Sequence, residues 1–125
     1  MASRPIDLNL FKIHFPITAV VSILHRASGL LLFFVIPLLL WLLQASLTSE
    51  MQWQQIQQVL RDSFWVKGLY WLCLSALTYH VIAGVRHLIM DLGWGDSLQA
   101  GRLGAFVVIT LTTFSVLGLG VWLWR

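Results

Sequence analysis

The sequence predicts an all-α membrane protein with three transmembrane helices and a short interfacial helix in the first loop. Three observations lead there. The chain of 125 residues is 58% hydrophobic and only 10% charged, with a mean hydropathy of +0.82, which is too apolar for an ordinary soluble domain. Three segments each supply the roughly 20 predominantly apolar residues that a membrane span needs. The polar stretches between them are short, so residues 1–125 read as a single membrane domain with no room for a soluble catalytic unit.

The elements follow in order. The opening stretch contains Asp7, Lys12 and His14 and no short apolar core ending in a small-residue cleavage site, so it does not read as a cleavable signal. It also lacks the Arg/Ser-rich amphipathic pattern of a transit peptide, and a bacterial chain inserted without processing is expected. The first span covers about residues 20–47, with Pro16 placed in its leading turn. Pro37 lies inside it, where a mild kink is expected, because membrane helices tolerate proline when neighbours satisfy the freed carbonyl. The loop over residues 45–63 is glutamine-rich. In it Ser49 and Gln52 have capping-box spacing, and Trp53, Ile56 and Leu60 share one face of a short helix suited to the membrane interface. The second span covers about residues 64–90, and Gly93 is expected to end it in a left-handed cap. The third covers about residues 103–124 and carries no charge at all. Its Gly118 and Gly120, with Thr110, Thr112, Thr113 and Ser115, read as packing devices.

Charge sets the orientation. Arg4, Lys12, Arg26, Arg86 and Arg102 fall on the N-terminal side, against Arg61, Lys67 and Arg125 on the other. The positive-inside rule then puts the N-terminus in the cytoplasm and the C-terminus outside, in a multi-pass protein of the bacterial inner (cytoplasmic) membrane. Trp65, Trp94, Trp122 and Trp124 fall near the expected interfaces, as an aromatic belt requires. The net charge is +3, but the basic residues are scattered and form no aromatic–basic platform, so nucleic acid is not an expected partner. Cys73 is the one cysteine, which builds neither an intrachain disulfide nor a zinc or iron–sulfur site and is expected to pack.

Two polar stripes interrupt the apolar spans. Ser22, His25, Arg26 and Gly29 lie along one face of the first helix, and His80, Gly84, His87 and Asp91 along one face of the second. Ionisable groups in hydrocarbon are costly and are normally paired, turned to a cavity or bound to something. With the N-terminus inside, both stripes lie toward the cytoplasmic ends of their helices, with His80 ~10 Å deeper than His87. If the two helices are neighbours, the stripes meet at one depth.

His80 is a candidate haem ligand, with Gly84 leaving room for a macrocycle or for close helix packing; the alternative is a histidine bonded to a neighbouring helix. His80 and His87 are two turns apart and cannot share one iron, so a second axial ligand must come from elsewhere. His25, Arg26, Arg86 and His87 suit the carboxylates of a haem edge, and snorkelling to the interface is the alternative for the arginines. Ser22 and Arg26 form a donor pair for a quinone carbonyl, whose oxygen gains negative charge on reduction, unless the serine bonds back to its own helix. Asp91 is a candidate proton relay, or the partner of a local arginine, since a carboxylate at a helix C-terminus opposes the dipole.

At these residues the chain resembles the cytochrome b membrane-anchor family of succinate dehydrogenase, respiratory complex II. The run R-P-I-D-L-N-L followed by F-P-I-T-A-V-V-S-I-L-H-R-A-S-G resembles the family's first signature, an Arg-Pro pair preceding S-x-x-H-R-x-S. The run H-V-I-A-G-V-R-H-L-I-M-D-L-G resembles its second, H-x-x-x-G-x-R-H-x-x-x-D-x-G. Both are complete, in the family's order, and the resemblance covers nearly the whole chain. It implies that His80 is the axial ligand of haem b, with the other axial histidine supplied by a second, smaller anchor subunit. It implies that Ser22 and Arg26 line a ubiquinone pocket, and that His25, Arg26 and His87 surround the haem propionates. The implied partners are that second anchor subunit, an iron–sulfur subunit and a flavoprotein that oxidises succinate, with electrons passing to quinone on the cytoplasmic side. The chain then has no succinate chemistry of its own and contributes to an oxidoreductase only as a subunit. The rival readings are a haem-free or fumarate-reductase-type anchor and a small proton-pathway transporter component.

Overall fold

The computed structural model describes residues 15–95 and 97–125. Arg4, Lys12 and the Arg-Pro opening of the first signature lie outside the described residues. Four helices account for nearly all the rest: α1 (Ile17–Thr48), α2 (Glu50–Asp62), α3 (Phe64–Asp91) and α4 (Leu98–Trp124). The three expected long helices and the short one between the first two are all present, and no strand occurs among the described residues. α1, α3 and α4, of 32, 28 and 27 residues, are each long and apolar enough to cross a membrane.

Local chemistry fixes the helix ends. Pro16 is extended and its carbonyl accepts from the Ala19 and Val20 N–H groups, so α1 starts at Ile17, earlier than hydropathy indicates. The helix then runs without a break through Pro37. Ser49 ends α1 and caps α2, its hydroxyl accepting the Gln52 N–H at 3.2 Å. Ser63 and Ser97 do the same for α3 and α4, accepting from Val66 and Ala100. The Ser97 cap explains why α4 begins at Leu98 and not near residue 103. Hydropathy marks the apolar part of a helix, whereas the cap marks where helical backbone starts, and the more polar first turns with Arg102 lie between the two. Gly93 takes the expected left-handed conformation, with φ +82°. Its N–H donates to Met90 and that of Trp94 to Ile89, completing a Schellman cap on α3.

α3 is central, packing against both α1 and α4, which also touch each other; α2 touches α1 and α3. The buried core is Val21 of α1, Ala83 of α3 and Ala105 and Val108 of α4, flanked by Ile17, Tyr79 and Ile82. Two of the four core residues are alanines, which let the helix backbones approach closely. The Tyr79 hydroxyl donates to the Val21 carbonyl at 2.8 Å and braces α3 on α1. At the other end of the bundle the Trp71 indole donates to the Val116 carbonyl at 3.0 Å. Its ring lies over Gly120, where an added Cβ would meet Nε1 at 3.3 Å, whereas Gly118 faces open space. Cys73 is buried, in keeping with a packing role. In α2, Ile56 and Leu60 are half-buried and Trp53 is more exposed.

Candidate functional site

α1 and α3 bring the two polar stripes face to face, in constant antiparallel register. Gly29 meets His80, His25 meets Gly84 and Ser22 meets His87. Each glycine is the gap into which the other helix places an imidazole. A Cβ on Gly29 would stand 3.0 Å from His80 Cε1, and one on Gly84 would stand 3.3 Å from His25 Nε2. The space expected beside Gly84 is therefore filled by a histidine ring. The His25 ring stacks on that of His80, with centroids 4.3 Å apart and 19° between the planes. It meets His87 edge-on at 4.8 Å.

The hydrogen bonds decide which ring nitrogens carry protons. His80 Nδ1 lies 3.2 Å from the His25 carbonyl and 3.0 Å from Ser28 Oγ. A carbonyl can only accept, so Nδ1 bears the hydrogen. The Ser28 hydroxyl donates to the same carbonyl at 2.8 Å, leaving its oxygen free to accept from the imidazole. His80 Nε2 makes no hydrogen bond to the described residues and keeps its lone pair. An imidazole tied down through Nδ1–H with Nε2 open is the state required of a metal ligand. Among the described residues no three His, Cys, Asp or Glu side chains are grouped to hold a metal ion. Ser28 belongs to the S-x-x-H-R-x-S pattern but had no predicted role; its place one turn from His25, on the face toward α3, was the only available clue.

Ser22 does not bond back to its own helix, as Ser28, Ser75 and Thr78 do. Its Oγ is instead 3.3 Å from His87 Nε2. Arg86 does not snorkel: it is 9% exposed and turns to α4, where Nη2 donates to the Gly101 carbonyl at 3.2 Å. Gly104 lies beneath it, where an added Cβ would meet Nε at 3.2 Å. Two polar nitrogens at the site are buried without a partner among the described residues, His25 Nε2 and Arg86 Nε. Ser22, His25, His80 and His87 are thus brought together. Arg26 and Asp91 are not: both are exposed on the flanks of their helices, and neither forms a hydrogen bond or ion pair among the described residues.

Comparison with known proteins adds a family. A family model described as succinate dehydrogenase/fumarate reductase transmembrane subunit matches residues 2–119. The chain is 41% identical over 123 residues to the succinate dehydrogenase cytochrome b556 subunit of Coxiella burnetii, covering 98% of each chain. It is 34% identical to the protein of that name from Paracoccus denitrificans, covering 88% of this chain and 89% of the other. With that from Rickettsia typhi the identity is 32%, over 85% of this chain and 82% of the other.

Proposed function

Since the chain belongs to the succinate dehydrogenase/fumarate reductase transmembrane subunit family, we propose that it is the haem b-holding anchor of a succinate:quinone oxidoreductase and forms part of its quinone site. It is a multi-pass protein of the bacterial inner membrane. The observation that carries the finer reading is His80, whose Nδ1–H is tied to the His25 carbonyl and Ser28 while Nε2 stays open.

The residues fit the group that the relatives' name implies. His80 would hold haem iron through Nε2. The orphaned His25 Nε2 and the exposed Arg26 suit the haem carboxylates. His87 has both ring nitrogens engaged within the chain, so it serves the same region by holding its neighbours in place. Haem b, when bound, supplies a one-electron redox centre. The second axial histidine is, in this reading, supplied by a second small anchor subunit, with an iron–sulfur subunit and a flavoprotein completing the complex.

Ser22 and Arg26 are the proposed quinone contacts. A hydroxyl and a cation one turn apart stabilise the negative charge that builds on the quinone oxygens during reduction. Asp91, exposed at the end of α3, is the proposed carrier of protons to that oxygen. The charge bias places the N-terminus and this end of the bundle on the cytoplasmic side, where a soluble succinate-oxidising pair would dock.

Co-expression tests the reading. The chain purified with its partner subunits should carry b-type haem and reduce quinone with electrons from succinate, whereas the chain alone should bind haem poorly. Stoichiometric six-coordinate haem in the chain alone would contradict a site shared between subunits.

A further inference from the structure

Arg86 is a buried cation with no carboxylate beside it among the described residues, and its other contacts explain its position. Nη2 is anchored on the Gly101 carbonyl, and Gly104 leaves α4 bare where the arginine side chain lies. Nη1 is 3.4 Å from Nδ1 of His87. A guanidinium has donors only, so His87 Nδ1 accepts, and the one ring hydrogen of the neutral imidazole sits on Nε2. That nitrogen faces Ser22 Oγ at 3.3 Å. The serine oxygen therefore accepts, and its own hydrogen, which makes no bond to the α1 backbone, is left for another acceptor.

We propose that Arg86 is a positioning residue for quinone reduction, acting through the tautomer of His87 to keep the Ser22 hydroxyl a hydrogen-bond donor. The proposal rests on the reading of Ser22 as a quinone contact. With the opposite tautomer, a bare Nε2 would take the Ser22 hydrogen, and a quinone carbonyl would then meet only the oxygen's lone pairs. Arg86 excludes that arrangement because Nδ1–H would point at a guanidinium N–H. The direction of the chain is Arg86 to His87 to Ser22 to substrate, each group donating to the next. It explains why an arginine is held off the His80–Gly84–His87 stripe, against α4, in a site whose reacting partner lies on α1.

The test is a double-mutant cycle in membranes carrying the whole complex, with Arg86→Met, Ser22→Ala and the double variant. Quinone reduction is read as kcat and KM for a short-chain ubiquinone, normalised to succinate oxidation by a soluble dye that bypasses the membrane subunit. Ser22→Ala should lower kcat/KM by about tenfold or more. Arg86→Met should lower it by about tenfold in the presence of Ser22 and by nearly nothing in the Ser22→Ala background, because residues acting in one chain are not additive. If the two losses multiply, Arg86 does not act through Ser22 and the proposal is overturned, while the quinone reading stands. If Ser22→Ala has no effect, the quinone reading fails and the proposal with it. Should Arg86→Met fail to assemble, nitrogen-15 spectra of histidine in the unsubstituted complex give the tautomer directly, with the His87 resonances identified by their loss in His87→Gln. A hydrogen on Nε2 is expected; a hydrogen on Nδ1 overturns the proposal.

Discussion

At the scale of single residues, the site depends on hydrogen bonds that leave one atom of each key side chain free. His80 spends Nδ1–H on the His25 carbonyl and Ser28 and keeps Nε2, and Ser22 accepts from His87 and keeps its hydrogen. Ser28→Ala removes one of two acceptors for Nδ1–H. It should therefore weaken haem retention by ~10-fold or less in a detergent-solubilised complex, against complete loss for removal of His80 itself; titrated loss of the b-type band on dilution checks this. Gly29→Val is expected to be harsher, because even a first added carbon stands 3.0 Å from the His80 ring. The ring must turn, and the b-type absorbance should fall while the subunits still co-purify. The histidines, Ser22 and their glycines were legible in the sequence because polar groups at helical spacing stand out in an apolar span. The direction of Arg86 was not, since a lone arginine near a helix end reads the same whether it reaches for water or for a carbonyl on α4. Nor was the filling of the glycine gaps, which depends on the register between two helices that no single-helix pattern contains.

At the scale of elements, short-range capping and small residues set the geometry that the site uses. Serines at 49, 63 and 97 cap the three later helices, and Gly93 closes α3 at φ +82°. Gly93→Ala should cost about 1–2 kcal/mol, because any side chain opposes that backbone conformation, and should appear as a lower thermal midpoint for the solubilised complex with little change in its spectrum. Ala105 is fully buried where α4 meets the core. Ala105→Leu should destabilise the assembly by ~1–3 kcal/mol through overpacking, and should also disturb quinone reduction, since Arg86 is anchored on the same helix. Helix number and type followed from hydropathy, which samples about 20 residues at a time. The ends did not follow as well. α1 and α4 begin earlier than their apolar stretches because Pro16 and Ser97 start the backbone, and these are local signals that hydropathy averages away.

At the scale of the whole molecule, the chain is a thin bundle whose described histidines all lie in one half, where α1 and α3 meet. The other end carries Trp71 on Gly120, with Lys67 above the Trp124 ring at 5.9 Å. That asymmetry, with the charge bias, predicts the sidedness. Gln55→Cys in α2 should react with an impermeant maleimide in intact cells stripped of the outer membrane, whereas Ser97→Cys should react only after permeabilisation; the reverse pattern would invert the bundle. The outward faces of α1 and α4 carry large apolar side chains such as Phe33, Phe34 and Phe114, as expected of helices that face lipid or a partner subunit. The measurement that bears most directly on this account is a reduced-minus-oxidised visible spectrum of membranes co-expressing the chain with its partners, unsubstituted against His80→Ala. The account predicts a b-type band that is lost or shifted in the variant. An unchanged band would move the haem ligand to another residue and contradict the central claim.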